Sequence, residues 1–286
     1  MIKYDEVVNK TAETLVKAST TFRPDQIEAY ERAVKNEDNP HAKWVLNNIL
    51  ENANIAENKL FPLCDDTGIP HVFLEIGDEC ELPAGFFAAV EEGVAKGLRQ
   101  LPGRPMAVLG DDKQRISQSA GLSSDPGDLA MAPIQIRHIP GKKIQLTVLM
   151  LGGGPEIRGK TQRVFHKHSV DTVLEEMIAW AKDGVEKLGC QPCILGFGIG
   201  RTNVEASSLA LEAMKNGNFL VQSDMEKKIT EAVNKEGYGA LGLGGRTSVL
   251  ATFIKVGPQR ASGVRVVSLR VGCCFDPRRA TVVFEG

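Results

Sequence analysis

Apolar residues at three-and-four spacing mark most of the helices this chain can form. Val173, Leu174, Met177, Trp180, Ala181, Val185 and Leu188 share one helical face, with Ser169 placed to cap its start and Gly189 able to take the left-handed turn that ends it. The short apolar run 193–199 then reads as a buried strand, and Thr202 or Asn203 can cap a following helix over 204–214. Nearer the N-terminus, residues 4–60 read as helical. Val7, Val8, Thr11, Leu15 and Ala18 define a first helix and 27–34 a second, while Leu46, Ile49, Leu50 and Ala53 lie on a third opened by Asn39-Pro40.

Strand patterns occupy 71–76, 134–138 and 144–150, the last two joined by the turn Pro140-Gly141. A helix is predicted over 86–98, and 100–124 is a long irregular segment carrying Arg104, Lys113 and Arg115, with Arg99 just before it; long loops of this kind often line sites. Ser223 and Glu226 form a capping box for a helix that ends near Gly237, and strands follow at 248–256, 264–271 and 281–284. No repeat or linker divides the pattern. The expectation is an α/β (α+β) fold: a helical N-terminal layer packed on mixed β-sheets in a single catalytic domain over 1–286.

Composition narrows the function classes. The 286 residues are 42% hydrophobic and 24% charged with a formal charge of -2, and the sequence pI is near 6.3, so there is no long-range attraction for nucleic acid. No apolar run approaches the roughly 20 residues that span a bilayer, and the N-terminus lacks the apolar core of a signal peptide. A cytoplasmic location is expected, where the cysteines at 64, 80, 190, 193, 273 and 274 would be reduced and better suited to ligation than to disulfides.

Two glycine runs invite nucleotide-binding readings that their spacing does not support. Gly154-Pro155-Glu156-Ile157-Arg158-Gly159-Lys160-Thr161 has P-loop spacing, but Pro155 and Arg158 suit a phosphate cradle poorly and no helical pattern begins at Thr161. Gly196-x-Gly198-x-Gly200 lacks the two residues a dinucleotide fingerprint needs before its last glycine. Close backbone approach to a ligand or cofactor is the expected use of both. The cysteines leave three readings open: Cys190 as a small buried hydrophobe, Cys190-x-x-Cys193 as a redox pair, or a metal site. Cys80, in polar surroundings, reads as a surface residue without a role.

Three separated segments then agree with one family. Cys64-Asp65-Asp66-Thr67-Gly68, Cys190-Gln191-Pro192 with Gly198-Ile199-Gly200-Arg201-Thr202, and Cys274-Phe275-Asp276-Pro277-Arg278-Arg279 resemble the cluster-binding segments of class I fumarases and L-tartrate dehydratases, in order and spacing over nearly the whole chain. The resemblance is to their alpha subunit. It implies a [4Fe-4S] cluster on Cys64, Cys190 and Cys274, with one iron open to substrate, and reversible dehydration of a 2-hydroxy dicarboxylate. By motif position Asp66 would take part in proton transfer. Asp65, Thr67, Arg104 (with Arg99 as the alternative), Gly153, Gly154 and Arg260 would contact substrate. Cys193 and Cys273 would be bystanders. The family's complete site also draws on a beta portion, so a separate beta subunit and a hetero-oligomer are expected, with no nucleic acid or membrane partner.

The chain departs from the family at four places: Asp65 replaces a glutamine, 119–124 an Asn-rich loop, Gly154-Pro155-Glu156-Ile157 a Gly-Ser-Glu-Asn run, and Gln259-Arg260 an Arg-His pair. A carboxylate at 65 beside the base would weaken binding of a dianion unless a cation such as Arg260 offsets it. The expected substrate therefore differs from plain fumarate and malate, or is bound with a rearranged charge pattern. The other readings are a cluster-bearing homologue with a sensing or binding role, and a Cys-x-x-Cys redox protein.

Overall fold

The computed structural model describes residues 2–285. The chain divides into two compact units, one built from Met1–Thr21, Ala53–Leu151 and Arg278–Gly286, the other from Phe22–Asn52 and Gly152–Pro277. Each contains a four-stranded mixed sheet, so the mixed α/β class expected from the pattern is observed.

In the first unit, β1 (Ile69–Gly77) is central. It pairs in parallel with β2 (Gln135–Ile139) and antiparallel with β3 (Lys143–Leu151), whose far edge takes β8 (Arg278–Glu285). The two strands joined by Pro140-Gly141 are thus separated by β1 rather than paired. Val72, Leu74, Ile76, Ile144, Leu146, Val148, Met150 and Phe284 share one face by the period of two, and they are buried under α1 (Tyr4–Thr20) and α4 (Phe86–Gln100). Those helices pack closely because Gly93 and Gly97 of α4 lie against Val8, Thr11 and Ala12, where a Cβ at Gly93 would come within 2.7 Å of the Val8 carbonyl oxygen. Cys80 is half-buried against this core rather than on the surface.

The segment 100–124 is less irregular than expected. It contains α5 (Asp112–Ser117), started by a capping box in which Asp111 accepts from the Gln114 amide. All six residues are exposed, so α5 has no apolar face for a hydrophobicity reading to find.

The second unit has strand order β4-β7-β5-β6: β4 is Lys160–Phe165, β5 Cys193–Gly200, β6 Val249–Val256 and β7 Val264–Gly272. One face buries Val164, Cys193, Leu195, Phe197, Val267, Leu269 and Val271 against α7 (Val170–Glu186) and α9 (Asp224–Asn234). The opposite face of β5 carries α8 (Asn203–Asn216). Both Ser169 and Ser223 cap the helices assigned to them, and Gly189 has φ +56°. The N-terminal helices form as expected, with α1 in the first unit and α2 (Pro24–Asn36) in the second; the chain passes between the units within α3 (Pro40–Lys59). Among the described residues no helix is long and apolar enough to cross a membrane.

Candidate functional site

The segment 64–68 follows α3 in the first unit and is tied to the end of α1 by the Leu63 amide, which donates to Ser19 O at 2.9 Å. Cys64 and Asp66 are half-buried, Asp65 is exposed and Thr67 is buried. Arg278, only 1% exposed at the start of β8, reaches this segment from below. Its Nη1 donates to Asp66 O at 2.8 Å and to Thr67 O at 3.1 Å. Gly68, at φ +85°, has to be glycine: a Cβ there would lie 2.8 Å from the Leu151 carbonyl and 2.9 Å from Arg278 Nη2.

Thr67, expected to touch substrate, instead accepts from the Arg104 amide through Oγ1 at 2.9 Å. The Arg104 guanidinium is exposed and lies 3.2 Å from the Asp65 carboxylate. Asp65 therefore already has a cation beside it within its own unit, the role the sequence offers to Arg260. Arg260 stands exposed on the loop between β6 and β7 of the second unit. Arg99, the alternative to Arg104, is bound to Asp125 by three hydrogen bonds of 2.8–3.0 Å. That guanidinium holds the Asp125 carboxyl below its usual range, and Arg99 thereby braces the 125–128 turn.

In the second unit, Cys190 and Cys274 sit on loops joined by a backbone hydrogen bond, with the Cys274 amide donating to Cys190 O at 3.1 Å. Cys190 is half-buried and Cys274 buried. The Cys274 loop closes on itself, since the Cys273 amide donates to Asp276 Oδ2 at 2.9 Å and the Asp276 amide to Cys273 O at 3.0 Å. It is also held by α2. The fully buried Tyr30 hydroxyl donates to Cys274 O, and Gln26 Nε2 donates to Phe275 O and Asp276 O at 3.3 and 3.2 Å. On the other loop, Gln191 Nε2 donates to Val185 O at 2.8 Å. Sequence reasoning treats α2 as packing alone; the signal it passes over is the i, i+4 pair Gln26 and Tyr30, two polar-tipped residues on the buried face.

Cys193 is fully buried on β5. Burial pushes its thiol well up, and the neighbouring Cys190 and Cys274 add to this. A thiol so disfavoured as thiolate is a poor half of an exchanging dithiol, and no observation favours the redox reading.

The glycine runs divide in their use. Gly196, Gly198 and Gly200 do not face a ligand; they admit α8. A Cβ on Gly198 would fall 2.0 Å from Ala206 O, and one on Gly196 would fall 2.8 Å from Met214. Gly153 and Gly154 are exposed in the short helix α6 (Gly153–Glu156), with open space where a Cβ would stand at Gly153. That helix is anchored by an ion pair from Glu156 to Arg270 of β7, whose Nε is buried without a hydrogen-bond partner. β4 begins at Lys160 where a P-loop would begin a helix, so the phosphate-loop reading is excluded by the architecture.

Comparison with known proteins concerns the chain as a whole. The family described as Fumarate hydratase (Fumerase) matches residues 8–283, across both units. The chain belongs to that family. Fumarate hydratases are hydro-lyases, enzymes that add or remove water. Among relatives of this fumarate hydratase family member is a Methanocaldococcus jannaschii protein with the provisional name L(+)-tartrate dehydratase subunit alpha. It is 28% identical over 92% of this chain and 91% of its own length. The L(+)-tartrate dehydratase subunit alpha of Escherichia coli O157:H7 is 22% identical over 97% and 92%. Fumarate hydratase 2 of Leishmania major is 24% identical over 89% of this chain, which spans 46% of that protein.

Proposed function

We propose that this chain is the alpha-type subunit of an iron-sulfur hydro-lyase that reversibly dehydrates a 2-hydroxy dicarboxylate, of the fumarate or tartrate type. The observation that carries the reading is the family match over 8–283 in a chain that retains all three cysteine segments. Among the described residues no three His, Cys, Asp or Glu side chains are grouped as ligands of one metal ion. A four-iron cluster makes a different demand, because each cysteine binds a separate iron. The donor set fits that demand: thiolate sulfur suits iron-sulfur chemistry, and the Cys190 and Cys274 loops are braced by buried hydrogen bonds. Cys64, Cys190 and Cys274 would hold the [4Fe-4S] cluster. When bound, it would supply a Lewis-acidic iron for the departing hydroxyl.

The remaining chemistry belongs to the protein. In the dehydration direction the C–O bond to the hydroxyl and a C–H bond on the neighbouring carbon break, a C=C bond forms and water leaves. Asp66 is the group assigned to the proton; it is half-buried, on a backbone held by Arg278. The exposed Arg104 guanidinium would bind a substrate carboxylate, with Asp65 beside it tempering its charge. Exposed Gly153 and Gly154 would offer backbone amides to substrate oxygens. A separate beta subunit would complete the enzyme, a reading supported by the alpha-subunit names of the M. jannaschii and E. coli relatives.

The test is anaerobic reconstitution with the candidate beta chain, followed by a screen of malate, fumarate, tartrate, mesaconate and citramalate. The expected protein is brown, holds iron and sulfide in nearly equal amounts, and dehydrates at least one hydroxy acid. A preparation that stays colourless refutes the cofactor. One that holds the cluster yet turns over none of these acids favours a sensing role.

A further inference from the structure

We infer that Arg278 is a positioning residue for the proton-transferring loop: by holding the Asp66–Thr67 peptide, it sets the direction in which the Asp66 carboxylate leaves the chain. This rests on the assignment of proton transfer to Asp66. The two carbonyls that Arg278 Nη1 engages, at 2.8 and 3.1 Å, belong to the successive peptide units 66–67 and 67–68, so holding both restrains the two planes on either side of the Thr67 Cα, the first of which is attached to the Asp66 Cα. On one side, Arg278 Nη2 and the Leu151 carbonyl fill the space a Cβ would need at Gly68. On the other, the Thr67 hydroxyl is taken by the Arg104 amide. The loop backbone is thus held from three directions, while the Asp66 side chain remains half-buried and Asp65 exposed.

The residue type matters. Arginine stays charged in a site 1% exposed, and its rigid planar group lets Nη1 donate to both carbonyls while Nη2 packs beside Gly68. A lysine keeps the charge but carries it on a flexible stem with no planar group to fix its aim, and it leaves the space beside Gly68 unfilled. The predicted consequence is a mobile Asp66 backbone rather than a lost ligand, since Arg278 is not among the three cysteines that would hold the cluster.

The experiment compares wild type with Arg278→Lys in the complete enzyme, reconstituted with cluster and partner chain. The expected kcat per bound cluster falls about tenfold to hundredfold, the cost typical of a small misplacement of a reacting group, while KM changes little. The primary isotope effect with substrate deuterated at the proton-losing carbon should rise, because proton removal becomes slower relative to other steps. A readout free of activity is hydrogen exchange in the cluster-free chain, where amides 65–68 should exchange faster with β1 and β3 unchanged. Added guanidinium should restore part of kcat to Arg278→Ala, which keeps the proposal testable if the lysine variant folds poorly.

A lysine variant with wild-type kcat per cluster overturns the inference. So does a loss of activity that merely tracks loss of cluster, with the isotope effect unchanged. Asp66→Asn, measured in parallel, separates the two layers: if it is inactive while Arg278→Lys is normal, the inference fails and the function stands. An active Asp66→Asn enzyme removes the Asp66 assignment and the inference with it.

Discussion

Cys193 and Cys274 show how burial and neighbours separate chemically identical side chains. Both are buried, yet Cys193 belongs to the apolar core of β5, α7 and α9, while Cys274 lies on a loop braced by Tyr30. The neutral thiol favoured at Cys193 makes it a small core hydrophobe. Cys193→Ala should keep the iron content and kcat and cost about 1 kcal/mol of stability, the scale of one lost buried heavy atom. Cys274→Ser should lose iron. Iron and sulfide analysis of both variants checks the pair, and a Cys193→Ala protein that cannot dehydrate any acid accepted by wild type would return the dithiol reading to consideration. Asp65 carries a related lesson. Its ion pair with Arg104 is exposed on both sides, so it contributes little to stability and acts chiefly on the local charge met by a substrate. Asp65→Gln should therefore leave melting unchanged and tighten dicarboxylate binding, read as a lower KM; a higher KM would show that Asp65 itself holds substrate.

Helices and strands supply the rigidity behind these residues. α2 delivers Tyr30 and Gln26 to the Cys274 loop, so that loop depends on a helix far away in sequence. Tyr30→Phe leaves the Cys274 carbonyl without that buried donor, a loss of about 1–3 kcal/mol. The expected result is a lower melting temperature and faster iron loss on exposure to air; iron loss at the wild-type rate would confine Tyr30 to packing. The α8–β5 contact makes a sharper demand, because Gly198 is opposed by backbone atoms that no rotamer change can move. Gly198→Ala should cost about 3 kcal/mol, the upper range for overpacking, whereas Gly153→Ala, with open space around it, should stay within about 0.5 kcal/mol. Thermal melts of the two proteins check the contrast. Equal effects would mean that α8 can move away from the strand without penalty.

At the scale of the whole molecule, the family match and the alpha-subunit names of two relatives bear on assembly. The chain alone is expected to bind iron and sulfide but to turn over substrate only with its beta partner, which kinetics on the separate and mixed chains would measure; comparable rates from the chain alone would refute the dependence. The sequence by itself determined the class of fold, the helices with clear caps and apolar faces, and the three cysteine segments that carry the family. These are local properties: Ser169, Ser223 and Gly189 act on backbone groups a few residues away, and a period of two or of three and four is written in consecutive letters. Other outcomes were decided only in three dimensions. The placement of β1 between β2 and β3 depends on strand pairing that no local pattern encodes. The turning of Gly196, Gly198 and Gly200 toward α8 depends on which helix covers that face. The grip of Arg278 on Asp66 and Thr67 joins positions 212 and 211 residues apart. Each rests on groups that meet after the chain has folded, where shape and unsatisfied hydrogen bonds, rather than sequence neighbours, select the partner.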